Sequence, residues 1–145
     1  EVMDDINRLL RYVWQTKNEM TIAVSGTGSA AMEAAIANTI EAGDKVVVGV
    51  MGYFGERMVE MCRRYGADVQ VIEKPWGEVF TPAEIRAALE THRPVLLGLV
   101  HAETSTGALQ PFDGLGELCR EFDCLLLADT VTSLGGAYLF GGGGR

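Results

Sequence analysis

The chain has 145 residues, of which 48% are hydrophobic and 22% are charged, a length and composition typical of one soluble globular domain. Its 20 acidic residues outnumber its 12 basic ones, giving a net charge of −8, which argues against a nucleic-acid partner because such partners are bound through basic patches. No apolar run reaches the ~18 residues of a membrane span and no signal-peptide pattern is seen, so we expect a cytoplasmic protein with no membrane contact.

Hydrophobic periodicity predicts helices and strands that alternate along the chain. Apolar residues at helical spacing predict an amphipathic helix over 3–16, and the apolar run Met20–Val24 predicts a first strand. Four further helices are predicted. Two of them end at Ile40 and at Tyr65, a third begins at Thr81, and a fourth spans about 113–122. Further strands are predicted at Lys45–Val50, Asp68–Ile72, Pro94–Val100 and Cys124–Ala128.

This alternation predicts an α/β fold: a three-layer sandwich with a mostly parallel sheet covered by helices on both faces. Pockets in such folds form at the carboxyl ends of the strands. We therefore expect functional residues in the loops that follow Val24, Val50, Val100 and Ala128. One domain is predicted over 1–136, followed by an atypical Gly-rich tail over 137–145.

A glycine-rich loop, Ser25-Gly26-Thr27-Gly28-Ser29, follows the first predicted strand and opens a helix. Free N–H groups and the positive end of the helix dipole suit a phosphate monoester there, although the same residues also suit a simple turn with a helix cap. They also match the dinucleotide fingerprint, which expects an acid at the end of the second strand. That strand ends in Val50-Met51, and the next acid is Glu56, so dinucleotide binding is not favoured.

Polar and aromatic residues follow the other strands. Asp129 comes directly after an apolar strand, so its carboxylate needs a cationic partner, such as a protonated ring nitrogen or a metal ion, or backbone donors. His101 and Glu103 are conceivable metal ligands beside it, but their spacing matches no metal signature, and we predict no metal. Phe54 lies in a glycine-flanked turn, either as core or as a stacking surface for a flat ring.

Taken together, these motifs resemble the class V group of pyridoxal-phosphate aminotransferases (fold type I), in particular the branch of alanine–glyoxylate and serine–pyruvate aminotransferases. The resemblance runs from about Met20 to Gly136 and is carried by residues 25–29, 32–34, 52–55, 101–107 and 125–136. It implies that the chain is the front part of a pyridoxal-phosphate-binding large domain. It further implies transamination between alanine or serine and glyoxylate or pyruvate, in a homodimer.

The resemblance assigns a contact with the cofactor, pyridoxal 5′-phosphate, to each of seven residues. Thr27, Gly28 and Ser29 would hold the phosphate, and relatives often carry histidine at the position of Ser29. Phe54, where relatives commonly carry tryptophan, would stack on one face of the ring. The remaining contacts would come from Thr104 to the 3-oxygen of the ring, Asp129 to the ring nitrogen and Val131 to the other face.

The family's catalytic lysine, which forms the Schiff base with the cofactor, has no counterpart among the lysines of this chain, Lys17, Lys45 and Lys74. We expect that lysine beyond residue 145, and we expect the isolated chain to bind the cofactor weakly without turnover. Two other interpretations stay open. One is a phosphate-ligand-binding module, and the other is a structural or engineered fragment with a join or cut at the glycine run 141–144.

Overall fold

The computed structural model describes residues 1–137 of the chain. The helices of this region are Val2–Trp14 (α1), Gly28–Thr39 (α2), Tyr53–Arg64 (α3), Pro82–His92 (α4) and Leu115–Glu121 (α5). Its strands are Lys45–Val50 (β1), Asp68–Glu73 (β2), Leu96–Val100 (β3), Ala102–Glu103 (β4), Ala108–Leu109 (β5) and Leu125–Asp129 (β6). None of the helices within residues 1–137 has the length and hydropathy needed to cross a membrane.

Four of the strands form one parallel sheet in the order β2-β1-β3-β6. The register places Val48 opposite Val71 on one side and opposite Gly98 on the other. Every crossover between these strands contains a helix, as parallel pairing requires. The predicted α/β fold with a mostly parallel sheet is confirmed.

The sheet has helices on both faces, which gives the predicted three layers. Alternate residues of β1 point to opposite faces: Val46 and Val48 pack with α2 and α3, whereas Val47 packs with α4 and α5. All three valines are fully buried. The hydrophobic core is therefore two apolar layers, one on each side of the central strands.

Two helices begin where their sequences place an oxygen-bearing cap. Thr27 is the N-cap of α2, and its hydroxyl accepts a hydrogen bond from the Ala30 N–H at 3.4 Å. Thr81 and Glu84 form a reciprocal capping box at the start of α4, with Pro82 at the first helical position. These contacts satisfy N–H groups that have no partner inside the helix.

The strand predicted at Met20–Val24 is not a strand in the structure. A strand needs a neighbour for its backbone groups, and no described strand pairs with this segment. Its apolar side chains are therefore exposed, with Met20 81% and Ile22 62% accessible. The apolar run predicts that the segment could form a strand, but it does not predict whether another strand is available to pair with it.

Smaller differences concern the ends of elements. Helix α1 ends at Trp14 instead of residue 16 because Gln15 adopts a left-handed conformation, with φ 51°. Strand β6 extends one residue beyond its predicted end, so that Asp129 is its last residue. The tail predicted over 137–145 lies, apart from Ala137, outside the described residues.

Candidate active site

A cavity of about 140 Å³ lies where α2 begins and where β3 and β6 end. Parallel α/β sheets form their ligand sites at this end of the strands. The structure brings all seven predicted cofactor contacts together around this cavity: Thr27, Gly28, Ser29, Phe54, Thr104, Asp129 and Val131. Four lining residues that the sequence argument did not single out are Met32, Val100, Ala102 and Thr132.

The first wall of the cavity is the N-terminal turn of α2. Gly28 and Ser29 are its first two residues, and the N–H groups there point along the helix axis with the positive end of its dipole. A side chain at Gly28 would overlap the Cγ2 atom of Val131, because a Cβ would lie 2.7 Å from it. Glycine therefore allows the helix end to approach the loop after β6.

The Asp129 carboxylate also lines the cavity. Its Oδ1 accepts a hydrogen bond from the Val131 N–H at 3.1 Å. Burial raises the pKa of Asp129, and the nearby charge of Glu103 adds to the effect. Within residues 1–137 no lysine, arginine or histidine forms an ion pair with this carboxylate. The site thus presents a desolvated acceptor that a cationic group would stabilise.

Phe54 and Thr104 reach the cavity from two neighbouring segments. Phe54 is the second residue of α3 and packs edge-on against Tyr53, with ring centroids 5.4 Å apart. The Thr104 hydroxyl forms a hydrogen bond with the hydroxyl of Thr132, in the loop that also carries Val131. An aromatic ring and a hydroxyl group thus line the same cavity as the carboxylate.

His101 and Glu103, which were weighed as metal ligands, are both buried and satisfied by other partners. The Nδ1 atom of His101 lies 2.8 Å from the Ser133 hydroxyl, its ring packs on Phe112, and burial lowers its pKa. The Glu103 carboxylate accepts hydrogen bonds from backbone and hydroxyl groups. Residues 1–137 contain no group of three acidic, histidine or cysteine side chains placed to hold a metal.

The three lysines lie away from the cavity. Lys45 is the first residue of β1, at the amino end of the sheet. Lys74 forms an ion pair with Glu84, its Nζ 2.6 Å from Oε1, and Lys17 is exposed in the segment after α1. None of them lines the cavity, so the described residues provide no amine at the site.

A second, more apolar cavity of about 280 Å³ adjoins the first and shares Gly28, Met32, Asp129 and Val131 with it. Trp14, at the end of α1, closes one side. Sequence reasoning missed this cavity, because it forms between α1, α2 and the end of β6 and no single motif marks it. Trp14 is half-buried there.

Comparison with known proteins gives one consistent family. Residues 1–139 match the Aminotransferase class-V family. The alanine–glyoxylate aminotransferase of Rattus norvegicus is 50% identical over 141 residues, which cover 97% of this chain and 34% of that protein. The (S)-ureidoglycine–glyoxylate transaminase of Bacillus subtilis is 38% identical over 135 residues, covering 93% of this chain and 32% of that protein.

Solved structures agree. The crystal structure of an alanine–glyoxylate aminotransferase from Nostoc sp. superposes with a TM-score of 0.94 at 70% identity, covering 95% of this chain and 37% of that one. The chain spans about a third of the length of these relatives. Since the family match extends over nearly the whole sequence, the chain belongs to the class V aminotransferase family.

Proposed function

We propose that the protein containing this sequence is an aminotransferase that transfers an amino group from alanine or serine to glyoxylate or pyruvate. The family depends on pyridoxal phosphate, and the relatives named above are glyoxylate aminotransferases. The observation that carries the proposal is the convergence, in one cavity, of a helix N-terminus, an aromatic ring and a carboxylate that has no ion pair within residues 1–137. These groups match, one for one, the phosphate, the ring and the ring nitrogen of the cofactor.

The residues of the cavity fit this cofactor chemically. Thr27, Gly28 and Ser29 would hold the phosphate through N–H and hydroxyl donors at the start of α2. Phe54 and Val131 would pack on the two faces of the ring. Thr104 would donate to the 3-oxygen.

Asp129 would hold a proton at the ring nitrogen, and this contact explains why a carboxylate occupies the end of an apolar strand. Its raised pKa reflects the cost of burying the charge. A cationic ring nitrogen would remove that cost. When bound, pyridoxal phosphate supplies an electron-accepting ring that stabilises negative charge on the substrate carbon.

For the 145-residue chain by itself we propose non-covalent cofactor binding without turnover, because none of its lysines lines the cavity. The test is a titration with pyridoxal phosphate, followed by borohydride reduction and intact mass measurement. A change in the visible spectrum with no retained pyridoxyl mass is expected. A single stable adduct on Lys17, Lys45 or Lys74, or measurable transamination, would contradict the proposal.

For the whole protein the proposal is a ping-pong reaction between the two substrates. Steady-state rates measured against both substrates should then give parallel double-reciprocal lines. Intersecting lines would show that both substrates must bind before either product leaves, which the proposal does not allow.

A homodimer and a cytoplasmic location complete the proposal. The dimer is supported by the exposed apolar side chains of α1, among them Tyr12 at 81% and Val2 at 74% accessible. The location is supported by three cysteines that are all buried and unpaired within the described residues. Sedimentation of the whole protein and fractionation of the source cells test the two statements separately.

A further inference from the structure

Helix α3 begins without a side-chain cap of its own. Its N-cap residue is Gly52, which has no side chain to accept from the first N–H groups. The first hydrogen bond within the helix runs from the Glu56 N–H to the Gly52 carbonyl. The N–H groups of Tyr53, Phe54 and Gly55 therefore need acceptors from elsewhere.

Those acceptors come from Glu103 and Ser105, about fifty positions along the chain. One carboxylate oxygen of Glu103 accepts from the N–H groups of Phe54 and Gly55, at 3.1 and 3.3 Å. The Ser105 hydroxyl accepts from the Tyr53 N–H at 3.0 Å and donates to the other carboxylate oxygen at 2.7 Å. That second oxygen also accepts from the Ser105 N–H at 3.1 Å.

Glu103 is 1% exposed, so its carboxylate lies away from water. A buried carboxylate is stabilised when several N–H groups and the positive end of a helix dipole point at it. Gly52 leaves the space that the carboxylate occupies, because a Cβ there would overlap the Cγ and Cδ atoms of Glu103. The glycine and the glutamate therefore form one packing unit.

Two of the proposed cofactor contacts are joined directly to this unit along the chain. Phe54 is the second residue of the capped helix, and Thr104 lies between the two capping residues. Anchoring Glu103 and Ser105 to α3 therefore sets the positions of Phe54 and Thr104 relative to each other. Both residues line the cavity.

We propose that Glu103 is a positioning residue for the ring-binding half of the site, acting through Phe54 and Thr104 without touching the ligand. The proposal rests on the proposed function for its ligand, pyridoxal phosphate. It separates the site into two halves, because the hydrogen bonds of the Glu103 carboxylate go to α3 and to Ser105 and none goes to the phosphate-binding turn of α2. Loss of the carboxylate should accordingly disturb ring binding and leave phosphate binding intact.

The test compares the wild-type chain with Glu103→Gln, in which one acceptor oxygen becomes an N–H₂ donor facing N–H groups. Hydrogen exchange of the Phe54 and Gly55 amides should accelerate by about 10-fold to 100-fold, as loss of a charged hydrogen bond implies. The dissociation constant for pyridoxal phosphate should rise by about 10-fold or more. Visible circular dichroism of the bound cofactor should also fall, while binding of inorganic phosphate stays unchanged.

Glu117→Gln is the matched control, because Glu117 is exposed in α5 and its one ion pair within residues 1–137 is with Arg120. It removes the same charge and should change none of the readouts. Glu103→Asp keeps the charge on a shorter side chain and should recover part of the cofactor affinity. If Glu103→Gln does not fold, Ser105→Ala replaces it, with faster exchange at Tyr53 and weaker cofactor binding as the expected results.

Each of the other outcomes would overturn one part of the proposal. Unchanged exchange at Phe54 and Gly55 in a folded Glu103→Gln chain would overturn the cap itself. Faster exchange with unchanged cofactor affinity and dichroism would overturn the positioning role. A wild-type chain that binds no pyridoxal phosphate would instead refute the cofactor binding proposed for the 145-residue chain, and the exchange data would still decide whether Glu103 caps α3.

Discussion

Asp129 is a carboxylate at the end of an apolar strand, with one backbone donor and no cationic partner within residues 1–137. Replacement by alanine should weaken pyridoxal-phosphate binding by about 2–3 kcal/mol, because it removes a partly buried charge pair with the ring nitrogen. Inorganic phosphate should bind as before, since the α2 turn is untouched. Spectral titration with each ligand measures the two affinities.

Asp113→Ala is a suitable control, because Asp113 is exposed and does not line the cavity. Equal losses of pyridoxal-phosphate and phosphate affinity in Asp129→Ala would indicate a general distortion of the site. No loss of either affinity would favour a phosphate-binding module over a cofactor site.

His101 makes stability depend on pH with a defined sign. Burial lowers the pKa of His101 from the ordinary value of 6.5. Below that pH the imidazole therefore binds a proton more readily in the unfolded chain than in the folded chain. The free energy of unfolding should therefore decrease as the pH falls below about 6.5, by at most about 1.4 kcal/mol per pH unit from this group. The loss should stop once the pH passes below the folded-state pKa.

Denaturant unfolding of the wild-type chain and of His101→Gln, at a series of pH values from neutral to mildly acidic, measures this contribution. The variant is less stable at neutral pH because the bond to Ser133 is altered, but its stability should change less with pH. Parallel pH profiles of the two proteins would show that His101 does not titrate in this way.

At the site, sequence reasoning predicted which residues converge but not how they are held. The order of motifs placed Thr27, Phe54, Thr104 and Asp129 in loops expected to follow strands, and in the structure all four line one cavity, although no described strand precedes Thr27. The role of Glu103 was not predicted from the sequence, because its partners are backbone N–H groups about fifty positions away. Local rules for helix caps examine the residue before the helix, and here that residue is Gly52.

Among the helices, α4 has the most complete set of N-terminal signals. Its Thr81 hydroxyl and Glu84 carboxylate satisfy each other's backbone N–H groups, and Glu84 also pairs with Lys74. Thr81→Ala should lower the free energy of unfolding by about 1 kcal/mol, the usual effect of losing an N-cap hydroxyl. Chemical denaturation measures the change.

Thr91→Ala provides a control in the same helix. The Thr91 hydroxyl donates to the Ala87 carbonyl one turn earlier, at 2.7 Å, and caps nothing. Alanine favours helix more than threonine does, so this variant should be neutral or slightly stabilising. Equal destabilisation by the two substitutions would show that the capping box adds nothing beyond an ordinary hydroxyl contact.

The elements that periodicity predicted well are those whose partners are also in the described region. Strands β1 and β3 are buried along nearly their whole length and lie in the middle of the sheet. The segment Met20–Val24 has a similar apolar composition, yet it forms no strand because no described strand pairs with it. Periodicity reports which face of a segment is apolar, and pairing depends on the rest of the molecule.

At the scale of the whole molecule, apolar side chains are exposed at several places within residues 1–137, and three of these places can favour association. They are α1, which has no buried residue, the segment Met20–Val24, and the edge strand β6, where Leu125 is 54% accessible. Edge strands and apolar patches of this kind favour association between chains. The net charge of −8 opposes association by repulsion between copies.

These two forces predict a salt dependence. The 145-residue chain should self-associate in a concentration-dependent manner, and added sodium chloride should strengthen the association because it screens the repulsion between acidic copies. Ile22→Ser should reduce the association, since Ile22 is 62% exposed in the unpaired segment. Sedimentation velocity at low and high salt measures both effects.

Trp76→Ser serves as the comparison for Ile22→Ser. Trp76 is 57% exposed, but it follows β2, the strand at the opposite edge of the sheet from β6. If association arises from apolar surface in general, the two substitutions should reduce it equally. If it arises from the surface around Met20–Val24 and β6, only Ile22→Ser should do so. A chain that stays monomeric at all concentrations would contradict the prediction. An association that weakens with added salt would also contradict it, because salt weakens contacts between opposite charges.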